Sequence, residues 1–333
     1  MHLTIIHAPL KRIISRNIAV SRQTLTARCA CLTNHVSHVE YLMENAIASI
    51  DIPGIKKLKS GKVREVFDLG KQLLIFATDR ISAFDYILPT LIPKKGEILT
   101  QLSIFWFDAT SHIIENHFLT DDVDAYPEPL GEHKDVLRGR SMLVKKAELI
   151  EVECVARGYI AGSAWNEYEK TGIVGGVAFS NLNKGDKFSS PMFTPATKSF
   201  SGHDINISFE EMKKTVPEKD AEFIKNKTLE LYKFAHDYAL ERGIVIADTK
   251  FEFGRLDDKT IIIDEIFTPD SSRFWDKELY DKERSLIAFD KQFVRDYLLS
   301  TDWDRNSEPP ELPLDIVEKT IERYREALKR LTH

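Results

Sequence analysis

Cysteine is scarce in this chain of 333 residues: Cys29 and Cys31 fall in one N-terminal stretch and leave Cys154 alone in the body. No disulfide framework can be built from that, which points to a reducing, cytoplasmic setting. No apolar run approaches the ~20 residues that span a bilayer, so a membrane protein is excluded. The formal net charge of −6 offers nucleic acid no global attraction, so neither nucleic acid nor membrane is expected as a partner, while small anionic ligands remain open. Two glycine patterns that cradle phosphates, G-x-x-x-x-G-K-[ST] and G-x-G-x-x-G, are also missing, and a phosphate site here needs another scaffold. No internal repeat is visible.

Acidic residues are absent before Glu40, while Lys11, Arg12, Arg16, Arg22 and Arg28 are scattered among hydroxyl and apolar residues. That composition is shared by organelle transit peptides. Met43 opens "MENAIASIDIP", which reads equally well as an ordinary start and makes residues 1–42 an upstream extension. On either reading they stand outside the fold, and import into an organelle follows only from the first.

What is present has the makings of a two-lobed body: 43% of residues are hydrophobic, enough for a substantial core. Alternation predicts antiparallel strands over 55–92, and apolar spacing predicts a helix over 100–118. Strands are expected over 141–160, a short helix from Gly162 ended by Gly172, and a long loop over 180–208. A helix opened by Pro217 and Asp220 should end at Gly243. Further helices are expected around 284–300 and from Asp315, after the proline-rich "EPPELP".

The segment "IADTKFEFG" at 246–254 poses the sharpest question. Strand alternation puts Asp248, Lys250 and Glu252 on one face and Thr249, Phe251 and Phe253 on the other. A charged face is ordinarily a solvated one, but the flanking "IIIDE" argues for burial behind it. A hairpin through "GRLDDKT" would bring Glu252 beside Asp264. Two such carboxylates repel unless a cation lies between them, and hard oxygen ligands select magnesium, with nucleotide phosphates completing the coordination. Direct opposition of these residues demands a turn of three or five residues or a bulge, with Lys250 facing Ile266 and Asp248 facing Thr268. Elsewhere, "SGKVR" places Gly61 before Lys62 and Arg64 in a hairpin fit for phosphate, "VARGYIAGS" supplies Arg157 and Ser163, and "TPDSSR" supplies Asp270 and Arg273. His203, in "FTPATKSFSGHDINIS", is a metal-ligand or base candidate, although a loop histidine is more often simply solvated.

Together "SGKVREVFD", "ATDRISAFD", "IPKKGEILTQLSIFWF", "ECVARGYIAGS", "FTPATKSFSGHDINIS", "ADTKFEFG", "IDEIFTPDSSRFWD" and "DKQFVRDYL" resemble one family closely, phosphoribosylaminoimidazole-succinocarboxamide synthase, the SAICAR synthetases of purine biosynthesis. The resemblance covers residues 56–300 and looks like the longer form of that family. It implies an α+β, two-lobed fold with a kinase- or ATP-grasp-like nucleotide cleft, residues 43–144 forming the first lobe and 145–333 the second. It also implies ATP-dependent joining of L-aspartate to the carboxylate of carboxyaminoimidazole ribonucleotide, with magnesium as cofactor and these small molecules as the only partners. The expected mechanism is an acyl phosphate attacked by the aspartate amine, with Asp248 as a candidate proton acceptor.

Residue by residue, the resemblance assigns Gly61, Lys62, Val63 and Arg64 to the ATP phosphates and Glu252 and Asp264 to magnesium. It assigns Arg157, Ser163 and Arg273 to the ribonucleotide, with Arg273 on its phosphate. Ser82 and Asp85 fall on the substrate side, and Lys198, Asp204, Asp248 and Lys250 line the reaction centre. Two rivals stand beside this reading, a small-molecule kinase with the same cleft and a catalytically silent nucleotide-binding module.

Overall fold

Two antiparallel sheets organise the residues that the computed structural model describes, 41–197, 205–289 and 291–333. The first begins as a meander of β1 (Lys56–Ser60), β2 (Arg64–Asp68) and β3 (Gln72–Ala77). Helix α1 (Lys95–Ala109) packs on it, and β4 (Phe118–Thr120) and β5 (Ser141–Lys145) complete the order β1-β2-β3-β5-β4.

The second sheet takes in β6 (Val152–Tyr159), followed by α2 (Gly162–Thr171), then β7 (Lys187–Thr197), α3 (Glu218–Leu240), β8 (Ile244–Leu256), β9 (Lys259–Ile263) and β10 (Ser272–Asp276). Its hub is the long β8. The first half of β8 pairs with β6 on one edge and β10 on the other, and its second half pairs with β9. Helices α4 (Gln292–Ser300) and α5 (Leu314–Thr332) close the chain, α5 packing on α1.

Local chemistry accounts for most of these boundaries. Pro217 sets the entry to α3, Glu218 and Asp220 complement the helix dipole in its first turn, and Ile224, Thr228, Leu231 and Ala235 form the buried stripe. Helix α2 ends at Gly172, whose φ of 70° places it in the left-handed region where glycine carries no steric cost. One core runs through both sheets, joining Ile75 and Val144 of the first to Phe251, Phe253 and Phe274 of the second. Trp106 of α1 packs edge-wise on Tyr238 and meets Phe267 at a tilt of 51°, with ring centroids 4.9 Å apart. Trp106 and Phe267, both fully buried, each contribute about 1.5–3 kcal/mol through removal from water.

Four sequence expectations are corrected. Residues 187–197 lie in the segment expected to be loop, yet they form β7, because Phe188, Thr194 and Ala196 pack inward. Pro191 and Pro195 are tolerated because β7 is an edge strand and need not donate outward. The helix expected over 100–118 runs from Lys95 and stops at Ala109, so Ile113 packs from a turn. The helix expected around 284–300 begins only at Gln292, as α4, and a separate helix that was not expected, Lys277–Glu283, ends where Arg284 turns left-handed at φ 53°.

The fourth correction is the register of the β8–β9 hairpin. Glu252 pairs with Ile263 and Leu256 with Lys259, leaving a two-residue turn of Asp257 and Asp258 in place of the odd-length connection. Lys250 and Asp248 do not face Ile266 and Thr268; the Lys250 amide donates to the Ser271 carbonyl at 2.9 Å, and Asp248 pairs with Arg273. The two-residue Asp-Asp turn, with Asp257 at φ 52°, matches the twist of the strands it joins and so sets the register.

Candidate functional site

A cleft of about 1070 Å³ collects residues of both sheets. Of the residues singled out in the sequence, Gly61, Lys62, Val63, Arg64, Ser82, Asp85, Ser163, Lys250, Glu252, Asp264 and Arg273 line it. Arg157 and Asp248 do not; they lie buried beside it. Lys198, His203 and Asp204 fall outside the described residues.

The alternation proposed for β8 holds from Asp248 onward. Thr249, Phe251 and Phe253 are buried in the core, while Lys250 and Glu252 open on the cleft. Asp248 belongs to the same row but is only 3% exposed, because flanking strands cover it with cations. Arg157 pairs with it from β6 and Arg273 from β10. Arg157 Nη1 donates to Asp248 Oδ2 at 2.9 Å, and Arg273 Nη1 donates to the same oxygen. Arg157 is pinned further, its Nε donating to Thr194 Oγ1 at 2.8 Å and its Nη2 to Ser163 Oγ at 2.9 Å. Ser163 is in the first turn of α2, and the residue before it must be glycine. Gly162 has φ 55°, and a Cβ there would stand 2.2 Å from Arg273 Nη2. Two guanidiniums, a hydroxyl and a helix N-terminus therefore meet at one end of the cleft, a combination suited to a phosphate.

At the other end the β1–β2 turn carries Gly61 and Lys62, and the Gly61 amide donates to the Arg64 carbonyl at 2.7 Å. Lys62 reaches across the cleft to Asp85. Asp85 and Phe84 form the two-residue turn of the hairpin Ser82–Ile87, both left-handed at φ 68° and 50°. Arg64 spans the sheets: its Nη2 lies 2.7 Å from Asp264 Oδ2 and 3.1 Å from Glu265 Oε1. Burial works against the charge on Arg64, but Asp264, Glu265 and Glu252 more than offset it and its pKa is raised. Its Nη1 is a buried donor with no hydrogen-bond partner among the described residues.

Glu252 and Asp264 thus reach one cleft despite the corrected register. Strand β9 ends at Ile263, and Asp264 turns left-handed at φ 71°, a conformation aspartate tolerates better than most residues. The turn, not opposition across the ladder, brings its carboxylate to the cleft. Lys250 Nζ lies 2.8 Å from Glu153 Oε1. Burial disfavours the Lys250 ammonium, but Glu153, Glu252 and Asp264 outweigh it and its pKa is raised. Among the described residues no group of three or more His, Cys, Asp or Glu side chains is placed to hold a metal ion unaided. A pair of carboxylates beside room for a polyphosphate is the donor set magnesium ordinarily uses with nucleotides.

Three residues on or under the cleft wall had no role assigned from the sequence, Lys95, Lys291 and Tyr324. The first two lie inside the quoted segments "IPKKGEILTQ" and "DKQFVRDYL", but only the folded chain brings them to one another.

The architecture is that of a two-sheet α+β protein with a polar, charge-lined cleft. A model of SAICAR synthetase matches residues 57–310. Phosphoribosylaminoimidazole-succinocarboxamide synthase of Thermodesulfovibrio yellowstonii is 50% identical over 291 residues, 87% of this chain and 100% of that protein. The synthase of Syntrophobacter fumaroxidans is 48% identical over 288 residues, covering 86% and 96% of the two chains. Among solved structures, the SAICAR synthase of Saccharomyces cerevisiae complexed with SAICAR is 40% identical and superposes with a TM-score of 0.77 over 85% of this chain and 96% of that one. The chain belongs to the SAICAR synthetase family.

Proposed function

We propose that the cleft is the reaction site of this ligase, with the ATP phosphates between the Gly61–Arg64 turn and the Glu252–Asp264 carboxylates, and the ribonucleotide phosphate on Arg273, Ser163 and the N-terminus of α2. The reaction is the ATP-dependent ligation of L-aspartate to carboxyaminoimidazole ribonucleotide, giving SAICAR, ADP and phosphate. On this reading residues 43–144 and 145–333 are the lobes on either side of the nucleotide, residues 1–42 are an extension, and the reaction takes place in the cytoplasm.

The observation that carries the reading is one cleft with two different anion sites at its ends, bridged by Lys250. An amide cannot form from a free carboxylate at neutral pH because oxide is a poor leaving group. Transfer of the γ-phosphoryl group breaks its bond to ADP and joins phosphorus to the carboxylate oxygen. The aspartate amine then attacks the acyl carbon, and phosphate departs with the electron pair. Such chemistry needs positioning and positive charge more than a nucleophilic side chain. Lys250, held charged by its acidic neighbours, supplies that charge at mid-cleft. Glu252 and Asp264 would hold magnesium, which when bound neutralises phosphate charge, and Arg64 Nη1 has a donor to offer a phosphate oxygen. We assign Asp248 to holding the two arginines and not to proton transfer, because its Oδ2 already accepts from both guanidiniums and the side chain is buried beside the cleft and does not line it.

Measuring ADP release with ATP and the ribonucleotide, with and without L-aspartate, tests the reading. Release that depends on L-aspartate, one ADP for each SAICAR formed, is expected. Aspartate-independent release would mark a kinase, and no release at all a silent module.

A further inference from the structure

One acidic side chain under the cleft wall gathers partners from three separate elements. Asp270, in the loop before β10, accepts a hydrogen bond from Lys95 Nζ on Oδ2 at 2.7 Å and one from the Tyr324 hydroxyl on Oδ1 at 2.7 Å. Lys291 Nζ lies 3.8 Å from Oδ1. Lys95 is the first residue of α1 and fully buried, Tyr324 is buried in the middle of α5, and Lys291 immediately precedes α4. Asp270 and Lys291 line the cleft, whereas Lys95 and Tyr324 stand behind it. Tyr324 also lies beyond residues 57–310, the stretch matched to the family.

A buried ion pair adds little net stability over apolar side chains of the same volume, so stability alone does not account for a fully buried lysine here. What such a network does is fix the orientation of the member that reaches the ligand. We propose that Tyr324 and Lys95 are positioning residues for the reaction: they hold the Asp270 carboxylate, and Asp270 holds the Lys291 ammonium on the cleft wall, where it contacts a carboxylate of a bound substrate. The inference rests on the reading of the cleft as the ligation site, since both substrates that enter beside ATP carry carboxylates. An ammonium has three donors, so Lys291 can keep one toward Asp270 and turn the others to the ligand. Burial lowers the Lys291 pKa to about 8, with Asp270 and Glu265 facing it as anions and Arg295 and Lys95 as cations. The ammonium therefore prevails at neutral pH and is lost on the alkaline side.

The test uses the full chain and steady-state kinetics in which ATP, the ribonucleotide and L-aspartate are varied in turn. Tyr324→Phe should raise KM for one carboxylate substrate about threefold to tenfold, the range spanned by one ordinary hydrogen bond. Lys291→Ala should raise the same KM further, with KM for ATP held within about twofold in both. If Tyr324 acts through Lys291, the double variant is no worse than Lys291→Ala alone. Additive effects, an equal rise in every KM, or wild-type kinetics in Tyr324→Phe would overturn the proposal. Lys291→Arg supplies a measurement that does not involve α5. That KM should climb above about pH 8 in the wild type and stay level in the arginine variant, which does not titrate there; a level wild-type profile also overturns it. Failure of the ligation reading itself shows separately, as a wild-type enzyme whose ADP release ignores L-aspartate.

Discussion

A single carboxylate oxygen, Asp248 Oδ2, accepts hydrogen bonds from both Arg157 and Arg273 and so fixes the two guanidiniums relative to each other. Asp248→Asn removes the charge and leaves two guanidiniums close together in a poorly solvated place. Breaking a buried pair in this way costs about 3 kcal/mol, and calorimetry should show a Tm lowered by several degrees. An unchanged Tm would mean that Thr194 and Ser163 hold Arg157 without Asp248 and that Arg273 needs no carboxylate there. Arginines beside glycine and serine made these residues candidates for phosphate binding in the sequence. Their mutual geometry was not legible there, since Arg157 and Asp248 stand 91 residues apart.

Among the elements, the β8–β9 hairpin shows how little of a register is written in the residues to be paired. Strand faces follow from alternation within one segment, and the charged and apolar faces of β8 are as its sequence indicates. The pairing partner depends on the turn, and there Asp257 adopts φ 52°. A two-residue hairpin with positive φ at its first central position favours glycine, so Asp257→Gly should stabilise the fold by about 0.5–1 kcal/mol, read as a raised denaturation midpoint. Loss of stability would show that the Asp257 side chain contributes more than its backbone strain costs. Strand β7 teaches a related lesson: its prolines and polar residues suit a loop, and only the free edge of β6 makes them a strand.

At the scale of the whole molecule, the pH range of stability is set by groups that folding strips of water. His236 on α3 is buried, with Nε2 3.2 Å from the Tyr159 hydroxyl. Burial lowers its pKa, Asp237 opposes that, and Lys187 adds to it. The unfolded chain then binds a proton that the folded chain refuses, so stability is lost as pH falls below the ordinary histidine value of about 6.5. His236→Gln keeps a hydrogen-bonding side chain and removes the titration. The drop in Tm between about pH 7.5 and pH 5.5 should be smaller in this variant than in the wild type; an equal drop would place the acid sensitivity elsewhere.

The sequence by itself determined the chemistry of this protein: which residue types are available, which strand face carries charge, and which family the motifs belong to. These are legible because periods of two and of 3.6 residues, caps and turn preferences act between near neighbours. Tertiary structure alone decided that Arg64 reaches Asp264 across 200 residues of chain, that Asp270 joins Lys95 to Tyr324, and that a left-handed backbone at Asp264 carries a carboxylate into the cleft. The physical reason is range: such contacts form only once burial of the shared core has brought distant segments together, and their geometry follows from how that core packs.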